Sequence, residues 1–373
     1  MNQQPLIKPY TMQDLELNNR VVMAPMTRSR AIDKDNAPNH LHDEYYKQRA
    51  GAGLIITEGA QISKQAVGYI NTAGIHNKAQ VEGWKKVNDS VHAEGGKIFI
   101  QLWHVGRISH PDFHGGDKPV APSAINPGEK SYTPEGFKET VEPRALETHE
   151  VEEIVQDFKK AAQNAKDAGF DGVEIHSSNG YLFHQFFNRT SNKRTDKYGG
   201  SKENRARFLF EVLDEVKQVF PEGRIGIRLN PSLDGIFGME ADEETIPTFD
   251  YIVKKVSDDY DLAYLHLSEP FNDVSDKPYL VQEIAKHYRP MYKGTLMING
   301  GFDREKGNKF IEEGLADLVS YARHFISNPD LPKRFELKAP LAEWDEDTFY
   351  TPGPEGYTDY HFLGESEINK EYG

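Results

Sequence analysis

The chain has no cysteine among its 373 residues. That absence excludes disulfides, thiol nucleophiles, thiolate zinc sites and cysteine-ligated iron–sulfur clusters. There is no apolar run long enough to span a bilayer. The start, MNQQPLIKPYTM, lacks the apolar core of a signal peptide, so the expectation is a cytoplasmic protein without membrane contact. Positive charge is scarce: 44 Lys and Arg against 59 Asp and Glu leave a net charge of -15. Such a surface repels phosphate backbones, so nucleic acid is not an expected partner. No glycine-rich phosphate fingerprint follows the first apolar run, and no clustered His/Asp/Glu spacing suggests a metal.

What is present is an alternation. Short apolar runs at 21–24, 54–57, 98–102, 173–175, 225–229, 264–267, 296–298 and 318–321 read as buried strands. Charged segments with helical spacing lie between or after them, at 81–93, 149–168, 202–219, 243–257, 277–287, 304–313 and 331–336. Several end near a glycine suited to a helix C-terminus: Gly95, Gly169 and Gly314. Eight β–α units predict an α/β fold, a parallel TIM (β/α)8 barrel, over an open doubly wound sheet. One domain over 1–373 is expected. Residues 104–148, rich in Gly, Pro, Ser and Asp, are too long for an ordinary loop and predict a lid or hairpin over the barrel mouth. The tail, 339–373, breaks the alternation as well.

The stretch from Gly172 to Gly200 organises the rest. Its strand delivers His176, and Asn179 and Tyr181 follow within one loop. In such a barrel, chemistry sits at the C-terminal strand ends. The other strand ends offer Thr27, Gln101 and Arg228, donors and acceptors suited to a polar ring edge. Gly300 and Gly301 would let backbone N–H groups approach an anion, and Arg323 adds a charged fork of donors. A flat, phosphate-bearing cofactor fits this set better than a sugar or a metal. A barrel glycosidase built on Glu58 and Glu269 is the competing enzyme class. A flavin-binding or ligand-sequestering protein without turnover is the alternative outside enzymes.

Several segments carry a resemblance. They are Asn19-Arg20-Val21-Val22-Met23-Ala24-Pro25-Met26-Thr27-Arg28, Gln101-Leu102-Trp103-His104-Val105-Gly106-Arg107 and Glu174-Ile175-His176-Ser177-Ser178-Asn179-Gly180-Tyr181-Leu182. Arg194-Thr195-Asp196-Lys197-Tyr198-Gly199-Gly200-Ser201, Ser327-Asn328-Pro329-Asp330-Leu331 and Gly356-Tyr357-Thr358-Asp359-Tyr360 complete the set. In this order, over nearly the whole chain, they resemble the Old Yellow Enzyme family of flavin-dependent ene-reductases. The resemblance implies non-covalent FMN, with NADPH as reductant. By position it implies that Pro25, Thr27, Ala60, Gln101 and Arg228 contact the ring, and that Asn299, Gly300, Ala322 and Arg323 hold the phosphate end. His176 and Asn179 would bind the substrate oxygen, Tyr181 would donate the proton, and Tyr69, Trp103 and Tyr350 would line the substrate cavity.

The implied reaction is ping-pong reduction of the C=C bond of α,β-unsaturated carbonyl compounds. The implied partners are small-molecule enones, maleimides or nitro compounds, bound by a monomer or homodimer. Nitroester or nitroaromatic reduction on the same scaffold is the alternative activity. The sequence departs from the family at Ala322, where many members carry glycine, and its substrate pair is His/Asn and not His/His. Residues 231–240 match no member.

Overall fold

The computed structural model describes residues 4–364. Positions 1–3 and 365–373, the latter being the end of the expected tail, lie outside the described residues. Eight parallel strands close into a barrel in chain order: β1 (Val21–Met23), β2 (Leu54–Gln61), β3 (Ile98–Trp103), β4 (Gly172–His176), β5 (Ile225–Leu229), β6 (Tyr264–Ser268), β7 (Leu296–Asn299) and β8 (Leu318–Tyr321). Every residue of these strands is buried. Hence they read as continuous apolar runs, as strands covered on both faces must.

The helices outside the barrel begin with α1 (His40–Gln48), α2 (Lys78–Ala93), α3 (Thr148–Asp167), α4 (Leu182–Phe187), α5 (Lys202–Val216) and α6 (Thr245–Asp259). After them come α7 (Ile284–Tyr288), α8 (Arg304–Glu312), α9 (Arg323–Ser327) and α10 (Leu331–Leu337). Their starts are chemically marked. Asn77 Oδ1 accepts from the Gln80 amide at 2.9 Å, and Asp303 Oδ1 accepts from the Lys306 amide at 2.7 Å, so each satisfies an N–H group that the helix cannot.

Three expectations are corrected. The helical segment at 277–287 shrinks to α7, because Ser232 takes both backbone groups of Val281 and ties that stretch to the loop after β5. Helix α4 was not expected. Its six residues are all buried, so they carry no amphipathic period. Strand β2 runs on to Gln61, past the expected 54–57.

Alternation sets what points inward. Phe99, Gln101 and Trp103 share one face of β3. Val22, Leu54, Ile56, Phe99, Tyr264, Met297 and Leu318 form one buried cluster. Met12, Leu15 and Leu17 of the hairpin Tyr10–Met12/Leu15–Leu17 complete that cluster and close the floor. At the other end, the insertion after β3 folds as a second hairpin, Lys130–Thr133 with Gly136–Glu139. Buried Arg28, Arg30 and Arg49 hold the tail. Arg28 donates to the Gly356 carbonyl at 2.6 Å, Arg30 to that of Glu355 at 2.9 Å, and Arg49 to that of Tyr357 at 3.4 Å. Among the described residues, no helix is long and apolar enough to cross a membrane.

Candidate active site

Strand β4 ends in His176, and a tight turn follows. The Tyr181 amide donates to the Ser178 carbonyl at 3.2 Å, with Asn179 at φ 56 and Gly180 at φ 76. An Asn-Gly pair accepts two successive positive φ values at little cost, which explains this local sequence. A Cβ on Gly180 would also lie 2.6 Å from the Phe237 Cβ. The turn therefore returns Tyr181 over His176, with ring centroids 5.0 Å apart at 79°.

The register does the rest. His176 stands beside Arg228, Arg228 beside His266, and Glu174 beside Gln101. A small cavity of about 100 Å³ gathers Pro25, Thr27, Gly59, Gln101, Trp103, His176, Asn179, Tyr181 and Arg228. Trp103 stacks on Tyr69 at 5.5 Å and 19°, and meets Tyr181 edge-on at 5.0 Å. The phenols of Tyr69 and Tyr181 are hydrogen-bonded at 3.1 Å.

Burial sets the protonation of this group. Desolvation, with the Arg228 charge behind it, pushes the His176 imidazole well below its ordinary range, so it is neutral at pH 7. Its Nδ1 lies 3.1 Å from Ser178 Oγ. The Ser178 hydroxyl can donate there, which leaves the proton on Nε2. Burial, then the neighbouring Tyr69, pushes Tyr181 well above an ordinary phenol, and burial lifts Tyr69 to about 12. Both therefore stay protonated. Asn230 Nδ2 donates to Asn179 Oδ1 at 3.2 Å, which leaves the Asn179 amino group free to donate.

A second pocket, of about 640 Å³, is lined by Asn299, Gly300, Gly301, Ala322, Arg323 and Trp344, among others. A Cβ on Gly301, at φ 63, would meet nothing within 4 Å. Arg323 carries an exposed ion pair to Glu346 at 3.1 Å and faces the Trp344 ring at 5.8 Å. Asn299 joins the two pockets, because its Oδ1 accepts from Arg228 Nη2 at 3.4 Å.

Residues 5–342 match a family described as the NADH:flavin oxidoreductase / NADH oxidase family. The 12-oxophytodienoate reductase 1 of Oryza sativa subsp. japonica is 44% identical over 370 residues, 98% of this chain and 95% of that protein. The solved structure of morphinone reductase superposes with a TM-score of 0.91 at 45% identity, covering 98% of either chain. That of the old yellow enzyme homologue from Zymomonas mobilis does so with 0.90 at 39%, covering 96% of this chain and 99% of that one. The chain belongs to the Old Yellow Enzyme family.

It is therefore an oxidoreductase of the NADH:flavin oxidoreductase / NADH oxidase family. Of the residues expected at an Old Yellow Enzyme site, the structure brings the ring-edge set, the His176–Asn179–Tyr181 group and Trp103 to one cavity. Ala60 is wholly buried in β2, outside that lining. Tyr350, 54% exposed, also lies outside that lining, in the neighbourhood of Tyr69 and Tyr181.

The glycosidase carboxylates are both engaged elsewhere. A β-bulge between Ile56 and Gly59 accompanies a turn of Glu58 toward α1, where it is fully buried 3.3 Å from His42. The same bulge sets Gly59 against Trp103, where a Cβ would come within 2.7 Å of the indole. Glu269 accepts the Ile284 and Ala285 amides at 2.9 and 3.2 Å and so caps α7. Among the described residues, no group of three or more His, Cys, Asp or Glu could hold a metal ion.

Three kinds of residue were missed. Phe237, at φ 54 in the unmatched 231–240 loop, packs on Tyr181 at 5.9 Å. The insertion fixes that loop: Glu129 accepts the Gly238 amide at 2.7 Å, and Arg107 donates to the Gly238 carbonyl at 2.6 Å. Asn230 orients Asn179, and Trp344 reaches the second pocket from the tail. The one signal in the sequence was a glutamate inside an apolar strand, Glu174, which has to be paired if it is buried.

Proposed function

We propose that this chain is an FMN-dependent ene-reductase that uses NADPH to reduce the activated C=C bond of α,β-unsaturated carbonyl compounds. The observation that carries this reading is the convergence of a neutral imidazole, a free amide donor and a protonated phenol on one cavity beside Gln101, Thr27 and Arg228. FMN fits the residues present. Among the described residues Arg228 Nε is buried without a hydrogen-bond partner, and the Gln101 amino group is spent on Glu174, which leaves its carbonyl oxygen for the cavity. Pro25, Thr27, Gln101 and Arg228 would hold the ring. Asn299, Gly300, Ala322 and Arg323 would hold the phosphate end.

FMN held there would supply the redox chemistry, exchanging a hydride between NADPH and the β-carbon of the substrate. The chain's own residues polarise and protonate. His176 Nε2–H and the Asn179 amino group donate to the substrate oxygen and stabilise the negative charge that grows on it. Tyr181 gives its proton to the α-carbon. The hydrogen bond to half-buried Tyr69 offers the route by which that proton is replaced. Overall, enone, NADPH and one proton yield the saturated carbonyl compound and NADP+. Trp103, Tyr69 and Tyr350 would bound the substrate space. Relatives named for 12-oxophytodienoate and morphinone support an organic small-molecule acceptor.

The test is the visible spectrum of the purified protein under anaerobic conditions. NADPH is added first, then cyclohexenone. Flavin bands that bleach and then return support the reading. Because one similar structure is described as a complex of morphinone reductase with tetrahydroNAD, NADH is titrated in parallel. A colourless protein that takes up no FMN overturns the proposal.

A further inference from the structure

Beneath the cavity, a buried chain of hydrogen bonds crosses six strands, and its members Glu174, His266 and Ser320 have no part in the steps above. Glu174, wholly buried, accepts from Gln101 Nε2 at 2.7 Å through Oε1. Its Oε2 lies 2.8 Å from His266 Nδ1, and His266 Nε2 lies 2.8 Å from Ser320 Oγ. Asn299 Nδ2 donates to Ser320 Oγ at 3.0 Å, and Asn299 Oδ1 accepts from Arg228.

The direction of every bond follows from one fact, that an ionised carboxylate only accepts. Glu174 is ionised. Burial works against its charge, but His266, Arg228 and Gln101 outweigh burial and hold it below the usual carboxylate range. Gln101 must therefore turn its amino group toward Glu174 and its carbonyl oxygen toward the cavity. His266, kept neutral mainly by burial, carries its proton on Nδ1 and accepts the Ser320 hydroxyl at Nε2. The donors run from Arg228 to Glu174, and a second path reaches Glu174 from Gln101. Both residues expected at the ring edge thus lead to a single buried charge.

We propose that Glu174 is a positioning residue for the flavin: it fixes which atom of the Gln101 amide meets the ring, and its charge moderates that of Arg228 there. This rests on the reading that FMN occupies the cavity. A carbonyl oxygen suits the imide N–H of the flavin pyrimidine ring. Reduction can place negative charge on that same ring, which Arg228 favours and Glu174 opposes.

The experiment uses FMN-loaded Glu174→Gln and Glu174→Asp beside the unmodified protein. Flavin midpoint potential and FMN dissociation constant are measured for each. In Glu174→Gln the Arg228 charge is left uncompensated, so the variant favours reduced over oxidised FMN at least about tenfold more than the unmodified protein does. For a two-electron couple that is an upward shift of about 30 mV. Glu174→Asp keeps the charge but is one methylene too short to keep both hydrogen bonds. It should bind FMN at least about tenfold more weakly at an unshifted potential. A purely structural role would lower thermal stability and leave the potential alone.

An unchanged potential in FMN-loaded Glu174→Gln overturns the proposal. If that variant does not fold, Glu174→Asp decides, and FMN bound as tightly as in the unmodified protein overturns it. Unmodified protein that takes up no FMN would instead remove the functional reading beneath it.

Discussion

The floor and the mouth of the barrel are built by the same strands, two residues apart. Phe99 gives way to Gln101 on β3, Tyr264 to His266 on β6, Met297 to Asn299 on β7 and Leu318 to Ser320 on β8. Burial is nearly identical at both levels: Phe99 is 0% exposed and Gln101 2%. What differs is how that burial is stabilised. The floor is held by apolar contact with Met12, Leu15 and Leu17. At the mouth, each buried polar group needs a partner, and the partners come from neighbouring strands. The floor can therefore change without altering chemistry, whereas the mouth couples chemistry to packing. Substitutions at the two levels should separate these effects.

The largest effect belongs to the mouth. Tyr181→Phe should cut enone turnover by about 10²–10⁴-fold, the usual worth of a positioned proton donor. The reductive step with NADPH should be unaltered, and stability should fall by no more than about 1 kcal/mol, because Tyr69 is the only hydrogen-bond partner of the phenol among the described residues. Stopped-flow measurement of the two half-reactions checks this. Full turnover in the variant would remove Tyr181 from its proposed role.

The converse experiment is Phe99→Ala. Loss of a ring packed against Tyr264 at 5.9 Å should cost about 3–5 kcal/mol of stability. Turnover per folded, FMN-loaded molecule at low temperature should stay within about twofold, since Phe99 is not part of the cavity lining. Chemical denaturation and an active-site titration measure the two quantities. A large fall in turnover would show that floor and mouth are not independent.

The sequence shows the floor and the first-rank site more readily than it shows the chain beneath the mouth. Buried strands announce themselves as apolar runs, and His176, Asn179 and Tyr181 are neighbours in sequence as well as in space. The Glu174–His266–Ser320–Asn299 path draws on β4, β6, β7 and β8, so it exists only once the barrel register is set. The outward turn of Glu58 depends on a bulge that no residue type signals. Phe237 reaches Tyr181 because Glu129 and Arg107, more than a hundred residues earlier, pin its loop. The all-apolar Leu182–Phe187 segment becomes a helix through its burial, without a period to read.

A smaller effect, dependent on pH, sharpens the contrast. Around the mouth, His104 and His184 are each held down to about 3, in both cases chiefly by burial. Their Nδ1 atoms accept the backbone N–H groups of Gly106 at 3.0 Å and Gly180 at 3.3 Å, which only the neutral ring can do. The folded value lies below the unfolded value of about 6.5. Protons are therefore taken up on unfolding, and the stability is intact above about pH 6.5 and lost as pH falls from there toward 3. Between pH 7 and pH 5 each such histidine should cost about 2 kcal/mol. His184→Gln, which keeps an acceptor but cannot titrate, should lose about that much less over the interval in urea unfolding. The floor cluster contains no histidine, so the penalty of Phe99→Ala should be the same at both pH values. A Phe99→Ala penalty that changed with pH would show the floor to be coupled to the mouth, and an unchanged acid sensitivity in His184→Gln would show that His184 is not held neutral.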